Sequence, residues 1–228
     1  DILNKKKLYK NLKKHFDTTY VVNFGGEVQH GKIKKTFLTH YVGSKNLASI
    51  FLNKPIKKFI QIGSSLEYGN QRSPQKESLK SKPNSNYSKA KAYASRNLMN
   101  LFTKQKFPVV IIRPYQIYGP NQDINRLIPI VIHNCLKNNK FPCSNGKQSR
   151  DFLYISDFIK FLDRVIKLKK IEGNIFNIGF GEPQNIKKVI IKIKKLINLG
   201  EPEFGKIKLR KEENLVTYPS ISKAKKII

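Results

Sequence analysis

The sequence predicts an α/β fold in which a doubly wound parallel sheet is followed by a small mixed lobe. Three observations predict it: short β-branched runs that stop at glycine or proline, amphipathic stretches between them, and a change of rhythm after Pro120. Strands alternating with helices form right-handed βαβ units, whose parallel sheet is covered on both faces.

Taken in order, Tyr20-Val21-Val22-Asn23-Phe24 reads as a buried strand ending at Gly25-Gly26. A helical stretch over about 35–52 follows, then a strand, Lys58-Phe59-Ile60-Gln61-Ile62, that stops at Gly63. A polar loop over 70–86 leads into a helix over about 87–104. The strand Val109 to Arg113 comes next, closed by Pro114, which has no N–H for a central ladder. Beyond Pro120 the pattern predicts helices over about 127–137, 156–168 and 185–199, with a strand over 174–178. The division falls at 1–120, mainly sheet, and 121–228, mainly a lobe with some segments returning to the sheet. A ligand cleft is expected between them.

With 228 residues, 39% of them hydrophobic, the chain is long enough to bury a core. No apolar run reaches membrane-spanning length, and the start, Asp1-Ile2-Leu3-Asn4-Lys5-Lys6-Lys7, has no signal-peptide core, so no membrane partner is expected. The two cysteines, Cys135 and Cys143, form no CxxC, and the histidines make no ligand pattern with them; the expectation is no metal site and a reducing cytoplasm. The formal net charge is +30. Lysines are spread along the chain, often as pairs that read as solvated helix faces, such as Lys13-Lys14, Lys57-Lys58 and Lys194-Lys195, so no specific nucleic-acid partner is expected. Such a charge still attracts anionic small molecules.

The chemistry-bearing pattern is Tyr87-Ser88-Lys89-Ala90-Lys91 at a helix start. Positions i and i+4 share a helix face, so the phenol and the ammonium point into one site. A phenol titrates near about 10 and a neighbouring cation lowers it, which suits acid–base work near neutrality. Upstream, the strand into Gly63-Ser64-Ser65-Leu66-Glu67-Tyr68-Gly69 places hydroxyls at a strand's carboxyl end, where doubly wound folds bind ligands. Downstream come Arg113-Pro114-Tyr115-Gln116-Ile117-Tyr118-Gly119-Pro120, then Arg150-Asp151-Phe152-Leu153-Tyr154-Ile155-Ser156-Asp157.

In order and spacing these four motifs resemble the extended short-chain dehydrogenase/reductases, the NAD-dependent epimerase/dehydratase family that modifies nucleotide sugars. The SSxxYG serine falls on Ser64, the YxxxK pair on Tyr87 and Lys91, the RPxxxYGP segment on Arg113 to Pro120, and the RDFxYVxD segment on Arg150 to Asp157, with Ser156 where an acidic residue is usual. The resemblance implies a Rossmann-like fold, NAD or NADP as cofactor, a nucleotide-diphosphate sugar as substrate and a homodimer built through a helix pair. It implies a proton exchanged by Tyr87 with a sugar hydroxyl at C4 and a hydrogen bond to that oxygen from Ser64, while Lys91 holds the nicotinamide ribose and lowers the phenol. Asp1 and Ile2 would touch adenine, Phe24-Gly25-Gly26 would follow the cofactor, and Pro114 and Tyr115 would border the nicotinamide. Ser65 and Gln116, the latter where the family often has Asn, would face the substrate; Arg150 and Arg210 would clamp the diphosphate.

Two departures shape the expectation. The family's GxxGxxG fingerprint is absent from the 228 residues, so the chain is expected to begin inside the sheet domain, after a βαβ unit, and as written to bind NAD poorly and to be inactive or unstable. Its 4,6-dehydratases carry an acid pair after the serine hydroxyl, whereas Ser64 is followed by Ser65 and Leu66. Reduction of a 4-keto-6-deoxy sugar or C4 epimerisation is therefore expected. The competing expectation is a non-catalytic, basic polyanion-binding protein on the same scaffold.

Overall fold

In a computed structural model, which describes residues 1–27, 32–209 and 213–227, the alternation read from the sequence is present. The first part runs α1 (Lys5–Leu12), β1 (Tyr20–Asn23), α2 (Ile33–Phe37), α3 (Gly43–Phe51), β2 (Lys58–Ile62), α4 (Asn86–Gln105), β3 (Val109–Pro114) and β4 (Gln116–Tyr118). The second runs α5 (Leu127–Leu136), β5 (Lys140–Cys143), β6 (Ser149–Arg150), β7 (Phe152–Tyr154), α6 (Ile155–Lys167) and β8 (Asn174–Ile178). It closes with β9 (Gln184–Asn185), α7 (Ile186–Ile197), β10 (Glu201–Phe204), β11 (Val216–Thr217) and α8 (Ser222–Lys225).

The main sheet has the order β1-β2-β3-β8, all parallel. Alternation along β3 explains the two layers. Val110 and Ile112, with Ile60 and Phe176, face a core formed with Phe158, Phe161, Leu162 and Val165 of α6. Those four positions follow the i, i+3, i+4, i+7 spacing of one helical stripe, and fully burying each such side chain contributes about 1.5–3 kcal/mol. Val109 and Ile111, with Phe59, face the opposite core with Ala48, Ile50 and Phe51 of α3 and Leu98 of α4, and Leu8 and Leu12 of α1 cover its rim. A third cluster, Val131, Cys135, Phe141, Cys143, Ile186 and Ile190, joins α5, α7 and β5.

Three expectations are corrected. The stretch expected as one helix over 35–52 is α2 and α3 joined through a π turn, Leu38–Val42, of a kind that marks functional positions. The helix α1 is not among the expected elements, nor are the short pairs β4–β7, β6–β9, β6–β11 and β5–β10, whose strands of two to four residues carry too little alternation to register. Lys58, read with Lys57 as a solvated pair, is buried at the start of β2. Its ammonium donates to the carbonyls of Val165 (2.7 Å), Ile166 (3.1 Å) and Leu168, closing the carboxyl end of α6. Burial lowers its pKa, against the pull of Glu172 at 3.8 Å. Among the described residues no helix is long and apolar enough to cross a membrane.

Candidate active site

β2 ends at Gly63, whose N–H donates to Ile112 O at 2.7 Å, and the chain turns at once into the short 3-10 helix Ser65–Tyr68. Ser64 caps it reciprocally: its hydroxyl accepts from Leu66 N (3.2 Å), while Glu67 Oε1 accepts from Ser64 N (2.9 Å). Glu67 is thereby aimed inward. It is completely buried, and its Oε2 accepts from Arg113 Nε (3.0 Å) and Nη2 (2.7 Å). Gly63 is required here, since a Cβ on it would stand 2.5 Å from Glu67 Oε1. At the other end of the turn Gly69 has φ +62° and lies so close to Lys82 O that a Cβ would reach it at 1.9 Å.

A capping box between Ser85 and Ser88 starts α4 one residue before the position expected from the sequence. Its first turn carries Tyr87, and one turn on Lys91 lies under the same site: Ser64 and Tyr87 share a side-chain hydrogen bond, and Lys91 Nζ is 5.9 Å from the Tyr87 ring centroid. The ammonium donates to Ile62 O (2.8 Å), which ties α4 to the tip of β2. Burial lowers Lys91 to about 8, against the opposing effect of Glu67. Burial raises the Tyr87 phenol; the Ser64 hydrogen bond lowers it, Glu67 raises it and Arg126 lowers it. The net direction is the reverse of the one expected from the Tyr87–Lys91 spacing, because desolvation outweighs the charges around the phenol.

His40, which the sequence reading left without a role, packs edge-on against Tyr87, ring centroids 5.0 Å apart. It sits in the π turn, and its Nε2 lies 3.2 Å from Glu27 O. Gly26 is what admits it, since a Cβ there would fall 2.2 Å from His40 Cε1. The only sequence signal was an aromatic nitrogen heterocycle within an otherwise apolar helix, which periodicity alone cannot rank.

The remaining candidates fall in two groups. On the β1 side, Ile2 packs over Gly43 and Gly25, and Ile2 O accepts from Asn46 Nδ2 (3.1 Å). Asp1 is exposed and closes its own turn by accepting from Leu3 N (2.9 Å). Gly25 N donates to Asn23 Oδ1 (2.9 Å), and Phe24 is 58% exposed, with its ring against Phe158. On the other side Ser65, Tyr115, Gln116 and Arg150 line one cleft of about 280 Å³. Pro114 ends β3, paired with Ile178. Tyr115 donates to Gln75 Oε1 (2.7 Å), and burial raises its phenol. Arg150 donates to Ser149 O (2.9 Å) and forms an ion pair with Glu213. Glu213 also lines an adjoining cavity of about 600 Å³ walled by Val131, Phe141, Pro142 and Ile190. Arg210 lies outside the described residues.

Asp151, next to Arg150, was not singled out from the sequence and proves structural. It is fully buried and accepts from Phe180 N (2.7 Å) and Gly181 N (2.6 Å), fixing the loop after β8. Burial raises its carboxyl, and the backbone donors lower it.

Comparison with known proteins gives the same motif order a family. The chain is 33% identical over 153 residues to a dTDP-D-glucose 4,6-dehydratase of Dictyostelium discoideum, covering 60% of this chain and 35% of that protein. It is 30% identical over 176 residues to the uncharacterized UDP-glucose epimerase YtcB of Bacillus subtilis, covering 76% of this chain and 55% of the relative. The aligned segments thus span between about a third and just over half of these relatives' own length. Among solved structures, a UDP-glucuronic acid 4-epimerase from Bacillus cereus, in complex with UDP-glucuronic acid and NAD, superposes on 100% of this chain and 73% of its own with a TM-score of 0.90 and 26% identity. The sequence model of the NAD dependent epimerase/dehydratase family matches residues 1–179, and the chain belongs to that family.

Proposed function

We propose that the protein acts on a nucleotide-diphosphate sugar with NAD or NADP, through oxidation and reduction at the sugar's C4. The observation that carries the reading is the meeting of Ser64, Tyr87 and Lys91 at the tip of β2. The cofactor, when bound, supplies the hydride acceptor and donor. Tyr87, as the phenolate, takes the proton from the C4 hydroxyl as that carbon is oxidised and, as the phenol, returns one on reduction, and Ser64 hydrogen-bonds the same oxygen. Lys91 fits a ribose: its buried ammonium has three protons, and Ile62 O is its one hydrogen-bond acceptor among the described residues. A cation beside the phenol also favours the phenolate once a proton has left.

The sugar fits the cleft lined by Ser65, Tyr115 and Gln116, with its diphosphate at Arg150 and its base in the adjoining apolar cavity beyond Glu213. C4 epimerisation or reduction of a 4-keto-6-deoxy sugar is favoured over dehydration. Ser65 and Leu66 bring no carboxylate to the strand tip, and the Glu67 carboxylate is buried and engaged with Ser64 N and Arg113.

The test is turnover of UDP- and dTDP-sugars with NAD(P) by the protein expressed from its own gene, with product analysis. Tyr87→Phe is expected to slow it by about 10²-fold or more. Equal rates in the two proteins end the enzyme reading. A product that has lost water ends the preference for C4 chemistry alone, and salt-sensitive nucleic-acid binding without turnover favours the polyanion-binding reading.

A further inference from the structure

We propose that Gln75 is a positioning residue whose side chain fixes Tyr115 at the wall of the cleft and so sets how well the sugar is held relative to its nucleotide. This presupposes that the cleft is the sugar site. Gln75 belongs to the polar loop between Gly69 and α4, yet it is completely buried. Each of its polar atoms is engaged. Its N–H donates to Tyr218 O (3.0 Å), and its carbonyl accepts from Ser220 N (2.8 Å) and Asn177 Nδ2 (2.9 Å). Its Oε1 accepts from the Tyr115 hydroxyl (2.7 Å), and its Nε2 donates to Gln71 O (3.0 Å). A buried amide costs free energy unless it is paired, and a fully paired one specifies a single geometry.

What this geometry fixes is the relation between two parts of the cleft, which Ser65 and Tyr115 both line. The Tyr115 backbone is set by its own N–H, which donates to Ile178 O (3.0 Å), so the direction of the side chain is left to the bond with Gln75. The phenol's one proton is donated inward, and a sugar hydroxyl finds no donor there. From Gln75 the network runs through Asn177, whose Oδ1 accepts from Tyr68 OH (2.8 Å), into the short helix that Ser64 caps. Tyr68 and Asn177 are as completely buried as Gln75. The Gln75 backbone serves a separate end: with Ser73, whose hydroxyl accepts from Tyr218 N (3.0 Å), it clasps the segment that follows the cleft residue Thr217. Gln75→Met, of similar side-chain volume, therefore removes the phenol's partner and leaves the backbone clasp in place.

Calorimetric titration of the protein expressed from its own gene with UDP-glucose and with UDP separates the sugar's contribution from the nucleotide's, and needs no turnover. In Gln75→Met and in Tyr115→Phe the ratio of UDP-glucose affinity to UDP affinity is expected to fall about fivefold, the effect of one hydrogen bond, with UDP affinity itself unchanged. The double variant is expected to lose no more than either single one, since both remove the same bond. A role in folding alone lowers the unfolding temperature of Gln75→Met and leaves the wild-type ratio intact. That outcome overturns the proposal, as does an additive loss in the double variant. Tyr115→Phe deletes a single hydroxyl and carries the test if Gln75→Met does not fold. Absence of UDP binding by the wild type overturns the reading of the cleft itself, and the role of Gln75 with it.

Discussion

Glu67 and Arg113, 46 residues apart in the chain, meet in a buried ion pair directly beneath Ser64, with Glu67 Oε2 accepting at 3.0 Å from Nε and 2.7 Å from Nη2. The other carboxylate oxygen holds the Ser64 N–H, so one side chain both neutralises a buried guanidinium and sets the backbone that presents the hydroxyl. Removing one partner of such a pair strands the other. Glu67→Ala is expected to lower stability by about 3–5 kcal/mol, read as a shift of the urea midpoint at constant slope. A midpoint within experimental error of the wild type refutes this account of the turn.

Lys91 gives stability a pH dependence whose sign is fixed. Its folded pKa is about 8, below the ordinary value of 10.5, so between those values the unfolded chain binds more protons than the folded one. Stability therefore rises with pH across that window. Lys58 and Lys223, also lowered by burial, act in the same direction; the raised Tyr87 and Tyr68 phenols oppose the trend as unfolded tyrosine ionises near 10. Denaturation at several pH values from about 8 to about 10 is expected to show the rise in the wild type and a smaller one in Lys91→Met. Parallel curves for the two proteins contradict the prediction.

Lys58→Met tests the closure of α6. The substitution keeps most of the side-chain volume but leaves the last carbonyls of the helix, Val165 and Ile166 among them, without their donor. A loss of about 1–3 kcal/mol is expected, measured by thermal unfolding, with amide exchange accelerated at the carboxyl end of α6. Exchange that speeds up only elsewhere in the chain shows that the ammonium does not hold that end.

Arg150 lines the cleft and is held by Glu213 and Ser149 O, so its guanidinium is already oriented. Titration with UDP is expected to give at least about tenfold weaker binding in Arg150→Gln than in the wild type, the effect of losing a charge-assisted hydrogen bond. Equal affinities place the diphosphate elsewhere.

The sequence by itself determined the alternation of strands and helices, the strand-end position of Ser64 and the one-turn spacing of Tyr87 and Lys91. Each is local: β-branched runs, a Pro114 stop, a four-residue interval. Only the tertiary structure decided that Glu67 turns in to Arg113, that Lys58 is buried under α6 more than a hundred residues later, that His40 lies against Tyr87, and that burial moves the phenol up and the ammonium down. The physical reason is that these contacts join segments whose distance is fixed only when β1, β2, β3 and β8 take their register, and desolvation depends on what then closes over each group.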